Sequence, residues 1–325
     1  METHASGLTV LALEAALLEC PDLVRPHLGS LVPVDDPGPL TGTFIHVAAG
    51  VVVVDPLQPF FGREAERIAA SSRTLIVAEQ GSSIAYIEGC AAPIYTPHSD
   101  RSSAVEIVVG PGATVRHTTI QNWSTNVRTT VDKHATVAGG GRIEWIDAAL
   151  GSLESTTRLV TRLDGDAASA SVLSMISAGM GQRHDAEFLT AHEGAATSST
   201  ALSKLLGSGT GSVTSRHVLH MESATSRADA RSEALCVEGS PEFEQSFAVT
   251  GGAAGSNDNR VARSSTEEGL DERQLRYLMQ RGLSRSAAAG LLVTGYLRPI
   301  ARSLPLEYSV EWEQAIQFGI AQAMA

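Results

Sequence analysis

The strongest constraint on this chain is a recurring corner. From about residue 74 to 262, short runs of Val, Ile and Thr alternate with small polar residues. Glycine-bearing turns fall near Gly81, Gly112, Gly140, Gly165, Gly194, Gly209 and Gly239, most of them roughly 25 to 31 residues apart. A fixed period of that size belongs to stacked repeats, in which each unit buries its apolar face against the next. The repetition is one of pattern and not of identity. Strands rich in Ser, Thr and Ala suit a right-handed parallel β-helix, whose interior stacks small and β-branched side chains in rows. A β-sandwich of long strands is the competing architecture, and the spacing favours the solenoid.

The flanks read differently. Leu8, Leu11, Leu17 and Leu18 suggest a short amphipathic helix over 8–20, stopped near Pro21. Residues 61–73 suggest a brief helix. "LDERQLRYLMQRG" (270–282) places Leu270, Leu275 and Leu278 on one helical face and ends at a glycine. Ser284 is placed to cap a second helix, and Pro305 to open a third. The expected organisation is an N-terminal α/β region over 1–73, a β-helix core over 74–262 and a helical region over 263–325.

Composition narrows the function classes. Hydrophobic residues make up 43% and charged residues 18% of the 325, which excludes a disordered chain. A net charge of −12 argues against nucleic acid or an anionic membrane as partner. The three cysteines, Cys20, Cys90 and Cys236, are scattered, with no CxxC pair. That excludes a paired-cysteine zinc site and a disulfide framework within one chain, and fits a reducing cytoplasm. No basic leader opens the sequence, so a cytoplasmic protein is expected. Only two of the 24 basic residues are lysine, Lys133 and Lys204, and neither sits in GxxxxGK[ST]. The chain therefore binds no ATP through a P-loop. His217 and His220 are three apart, on opposite faces of a strand, and make a poor metal pair.

Three blocks in order carry a resemblance: "YIEGCAAPIY" (86–95), "TTIQNWSTNVRTTVDKHA" (118–135) followed by "RIEWIDAALGS" (142–152), and the tail "LDERQLRYLMQRGLSRSAAAGLLVTGYLRPIARSLPLEYSVEWE" (270–313). The chain resembles the SufB/SufD family of iron–sulfur cluster assembly proteins. The resemblance implies a right-handed parallel β-helix with C-terminal helices that dock SufC, an ABC-type ATPase. It also implies pairing with a second β-helix subunit, as a homodimer or a SufB/SufD-type heterodimer, with a transient iron–sulfur cluster built at the interface. Such a chain is a scaffold, not an enzyme, and is fed by a sulfur donor protein.

By the same resemblance Cys90, Gln121, Trp123 and Lys133 form a sulfur relay in the β-helix interior. A cysteine suits the role because its thiolate attacks a persulfide, and a buried lysine lowers a thiolate pKa. Each has a plainer reading: Cys90 and Trp123 as core packing, Gln121 as a locally satisfied amide, Lys133 as a surface group. The family's ligand positions are altered. Its "CDSxLxG"-like cysteine falls on Glu233 or Ala234 of "SEALCVEG" (232–239), and its His-Glu pair on Arg263 and Ser264. The nearby candidates for cluster ligands are Cys236, Glu233, Glu267 and Glu268, with Cys236 favoured because clusters prefer thiolates. The alternatives are a structural paralogue that binds SufC without holding a cluster, and a β-helix carbohydrate-active enzyme using paired carboxylates.

Overall fold

The computed structural model describes residues 3–5, 7–32, 41–58, 71–91, 99–252 and 261–304, together with 314 and 317. Strand β1 (Thr3–Ala5) pairs antiparallel with β2 (Leu8–Ala12). Two short helices follow, α1 (Leu13–Glu19) and α2 (Pro21–Val24), and then β3 (Gly42–Val47), antiparallel to β2. From β3 onward every strand pair is parallel. The chain runs through β4 (Ser71–Ala78), β5 (Ser83–Ala91), β6 (Ser99–Val109), β7 (Thr114–Trp123), β8 (Val127–Val137), β9 (Arg142–Gly151) and β10 (Glu154–Leu163). It continues through β11 (Ser169–Ala178), β12 (Arg183–His192), β13 (Ser198–Gly209), β14 (Ser212–Met221), β15 (Arg227–Gly239), β16 (Glu242–Thr250) and β17 (Val261–Gly269). It then enters α3 (Glu272–Gln280) and α4 (Arg285–Ala301).

From β4 on, even-numbered strands join a ten-stranded sheet and odd-numbered ones a seven-stranded sheet. The result is the expected mainly-β solenoid, of about seven turns. Inward side chains of both sheets stack into one core, in which Ile76, Ile107 and Ala135 face Ile84, Val115 and Ile143. The outward face of the seven-stranded sheet is apolar as well: Ile146, Met175, Leu206 and Leu235 pack against Leu275, Ala289, Val293 and Leu297 of the two helices. Ser284 caps α4 as expected, accepting from the backbone N–H of Ala287, and Asp271 caps α3, accepting from that of Arg273.

The glycine period resolves into two corners. Gly81, Gly112 and Gly140 turn the chain from the ten-stranded to the seven-stranded sheet, with φ of 67°, 63° and 66°. Gly165 and Gly194 lie at the same corner, but there the left-handed residues are Ala167 and Ala196, with φ of 57° and 55°. Gly194 is needed for another reason: a Cβ there would stand 2.4 Å from the carbonyl oxygen of Gly165 one coil below. Gly209 and Gly239 belong to the opposite corner, shared with Gly151 and Gly181.

The N-terminal reading needs correction. Residues 8–12 are strand and not helix, because the edge of β3 offers them a ladder; the helix begins at Leu13. Of the helix expected over 61–73, residues 61–70 lie outside the described residues and 71–73 open β4. The helix expected after Pro305 lies outside them apart from 314 and 317.

Candidate functional site

Lys133 faces inward from β8 and is 2% exposed. Its ammonium crosses the core, donating to Thr119 Oγ1 at 2.7 Å and to Asp147 Oδ1, with the Trp145 ring 6.0 Å away. A lysine is rarely buried unless it is paired, and here the pairing is built by the repeat. Thr119 and Asp147 each lie 14 residues from Lys133, half a coil back and half a coil forward, so both rise from the opposite sheet.

These partners belong to a longer row. Register aligns Glu88 of β5, Thr119 of β7, Asp147 of β9, Ser174 of β11, Ser203 of β13, Ser232 of β15 and Ser265 of β17. All but Ser265, on the last strand, are buried. A lane of hydroxyls and carboxylates thus runs the length of the core.

His117 sits between the rings of Tyr86 and Trp145, at 5.5 and 5.3 Å. Its Nε2 is 3.8 Å from the Glu88 carboxylate, and its Nδ1 is 3.3 Å from Thr119 Oγ1. Burial, then the charge of Lys133, pushes its pKa well below the usual imidazole range, so the ring is neutral at pH 7. Burial also raises the pKa of Glu88, with Lys133 opposing and Asp147 adding to the rise. Asp147 Oδ2 is buried and has no hydrogen-bond partner among the described residues. It borders a cavity of about 20 Å³ lined by Thr119, Gln121, Lys133, Asp147, Ser174 and Phe188 among others, enough for one water. Lys133 and Asp147 form a neutral pair, and an ammonium in so dry a place can also stabilise a sulfur anion.

The structure therefore brings Gln121 and Lys133 together at one cavity. Trp123 is buried farther along β7. Cys90 pairs in register with Gln121, and its side chain lies outside what the structure describes. Glu88, His117 and Asp147 were not singled out from sequence. The half-coil offset of 14 residues from Lys133 finds Asp147. Glu88 then follows as the register partner of Thr119, and His117 as the residue two before Thr119 on the same face of β7.

Cys236, Glu233, Glu267 and Glu268 lie at the far end. Between β5 and β15 there are five strand steps, roughly 24 Å at the usual inter-strand spacing. Register sorts the four. Ala234, a residue of the inner core, pairs with Glu267, whereas Leu235, which packs on the helices, pairs with Glu268. Cys236 and Glu267 thus share the inward side, and the charges of Glu267 and Glu238 add to burial in raising the Cys236 thiol pKa. Glu233 and Glu268 take the outward side, where Glu233 is ion-paired to Lys204. Glu233 and Cys236 are therefore divided between the two faces of β15. Among the described residues no group of three or more His, Cys, Asp or Glu is placed to hold a metal ion.

The coil ends openly here. β16 and β17 are the last strands of their sheets, unpaired on their outer edges among the described residues. Phe243, Phe247, Val249 and Val261 are only partly buried.

Comparison with known proteins bears on this arrangement. A family model described as "SUF system FeS cluster assembly, SufBD core domain" matches residues 60–296. The chain belongs to the SufB/SufD family. The iron-sulfur cluster assembly SufBD family protein of Staphylococcus haemolyticus is 35% identical over 98% of this chain and 70% of its own length. Its counterpart in Staphylococcus epidermidis is also 35% identical with the same coverage, and that of Staphylococcus aureus strain MRSA252 is 33% identical. Membership ties this SufB/SufD chain to iron–sulfur cluster assembly. No helix among its described residues is long and apolar enough to cross a membrane.

Proposed function

We propose that this chain is a scaffold subunit of a SUF-type assembly complex. It pairs through the open last coil with a second copy or a paralogue, and it docks an ABC-type ATPase of the SufC kind on the helical unit. The observation that carries the reading is the placement of Cys236 and Glu267 together on the inward side of the terminal coil, beside two strand edges that are unpaired among the described residues. A thiolate and a carboxylate at such an edge supply part of an iron coordination set, and a subunit meeting that edge supplies the rest. Strand edges of this kind recruit a partner through backbone hydrogen bonds.

Sulfur enters at Cys90 from a donor protein. The step is thiol–disulfide exchange: the Cys90 thiolate attacks the donor's persulfide, the S–S bond to the donor breaks, the donor leaves as thiolate, and Cys90 carries the persulfide. Lys133 stabilises sulfur anions in the interior, and Gln121 and Trp123 line the passage. Exposed Tyr277, Met279, Leu283 and Leu291 on and between α3 and α4 offer the ATPase an apolar surface. The cluster itself is cargo, assembled and handed on.

Anaerobic reconstitution with ferrous iron and sulfide tests the reading. The wild type develops visible cluster absorbance, Cys236→Ser loses it, and light scattering shows a dimer or a paralogue complex. No absorbance in the presence of the partner subunit would instead establish a paralogue that binds the ATPase without holding a cluster.

A further inference from the structure

The helical unit is fastened to β15 at two points, one three residues before the thiol and one at Cys236 itself. Tyr296 of α4 donates its hydroxyl to the backbone carbonyl of Glu233, with the carbonyl of Leu205 at 3.4 Å. Leu270, leading into α3, donates its N–H to the carbonyl of Cys236 at 3.2 Å. The Tyr296 contact is reinforced from below. Lys204, 6% exposed, holds its ammonium 4.1 Å from the centre of the Tyr296 ring and pairs with the Glu233 carboxylate. A desolvated cation over an aromatic face is worth more than an exposed one. The two helices are tied to each other: Arg285 of α4 bridges Glu272 of α3, and their apolar faces share one cluster.

β15 is also built to respond. Gly207 pairs with Cys236 but Ser208 pairs with Glu238, so Val237 is an extra residue bulged out beside the thiol. A bulge breaks the ladder locally and re-aims its neighbour. Glu233 is three residues before Cys236, and beyond the bulge the ladder resumes for only two pairs, Ser208 with Glu238 and Gly209 with Gly239.

We propose that Tyr296 is a positioning residue that couples the α3–α4 unit to the thiol of Cys236. With the contact made, β15 is clamped and Cys236 is half-buried. When the helices are displaced, the clamp on Glu233 is released and the bulged end of β15 turns the thiol outward. This rests on the proposed docking of an ATPase to the helices, which would supply the displacement. The coupling itself is a property of this chain alone.

The test therefore uses the isolated protein, so its failure is distinct from failure of ATPase binding or of cluster assembly. Alkylation of each cysteine by iodoacetamide is followed by mass spectrometry in the wild type, Tyr296→Phe and Lys204→Gln. Tyr296→Phe keeps the ring and loses the hydroxyl. One hydrogen bond removed corresponds to about a fivefold rise in local opening. The expected result is a Cys236 rate raised about fivefold, a pH profile moved to lower pH, and an unchanged rate at Cys20. Lys204→Gln shifts Cys236 in the same direction. An unchanged Cys236 rate in both variants, or equal acceleration of Cys236 and Cys20, overturns the proposal.

Discussion

Lys133 and Asp147 are 14 residues apart in the chain and joined by an ion pair across the solenoid core. The pair links the two sheets and is buried, so its two halves cannot be removed independently at equal cost. Breaking a buried pair costs more than replacing it. Lys133→Met strands a carboxylate and is expected to lower unfolding free energy by about 3–5 kcal/mol. The double variant Lys133→Met, Asp147→Leu is expected to regain most of that loss. Urea denaturation of both variants measures the difference.

Two other buried histidines contribute to the acid response. His192 and His217 each have a pKa lowered by burial to about 4, against 6.5 when exposed. Below pH 6.5 the unfolded chain takes up protons that the folded chain refuses, so stability falls as pH drops and levels off only near pH 4. Each histidine accounts for about 2 kcal/mol lost between pH 7 and 5. Thermal melts across that range should fall steeply, and His217→Gln should flatten the slope. The raised carboxyl of Glu88 acts in the opposite sense: its contribution is full at low pH and is lost as pH rises through its folded pKa.

Corner glycines differ in what they tolerate. At Gly151, with φ of 75°, a Cβ would stand 1.8 Å from the carbonyl oxygen of Trp123. At Gly181, with φ of 72°, a Cβ meets nothing within 4 Å. Gly181→Ala is expected to cost only the left-handed backbone penalty, about 1–2 kcal/mol. Gly151→Ala adds a backbone clash between coils and should cost more than twice that or prevent folding. Comparative denaturant midpoints, or soluble yield for the second variant, decide this.

The thiol at the open end is held back partly by charge. Burial raises the Cys236 pKa first, then Glu267 and Glu238. Glu267→Gln removes one of these charges from an exposed position, so the thiolate forms at lower pH. Alkylation of Cys236 at pH 7.5 is expected to quicken about twofold, with the gain shrinking as salt is added. No change at low salt would place Glu267 out of electrostatic reach.

Much of the fold was legible because solenoids advertise their period. Gly81, Gly112 and Gly140 mark one corner directly. The period then falters because Ala167 and Ala196 adopt the left-handed turn at two later coils, and sequence offers no sign that an alanine will do so. The step from Gly194 to Gly209 is half a coil, the point where the visible glycines change corners. Strand β2 reads as helix because Leu8 and Leu11 fit a helical spacing, and only the edge of β3 reveals the ladder that claims them. Lys133 stood out as one of two lysines, but its partners did not. Thr119 and Asp147 look like ordinary strand residues until the chain is laid out in half-coils. Lys204 and Tyr296 are 92 positions apart and meet only because α4 folds back over the sheet, a contact that no local pattern encodes.

The coil count has a consequence for evolution and engineering. Each coil is about 29 residues long, and its rows stay in phase with those above and below. The separation between the Cys90 strand and the Cys236 strand is therefore quantised. It cannot be tuned by point substitution, but removal or duplication of one whole coil would change it by a single strand spacing, roughly 4.8 Å, while leaving every remaining ladder in register. A 29-residue deletion from Arg183 to Gly211 is the natural experiment in molecular length. It would bring those two strands closer by one fixed step, and with them the proposed sulfur entry and the proposed cluster edge.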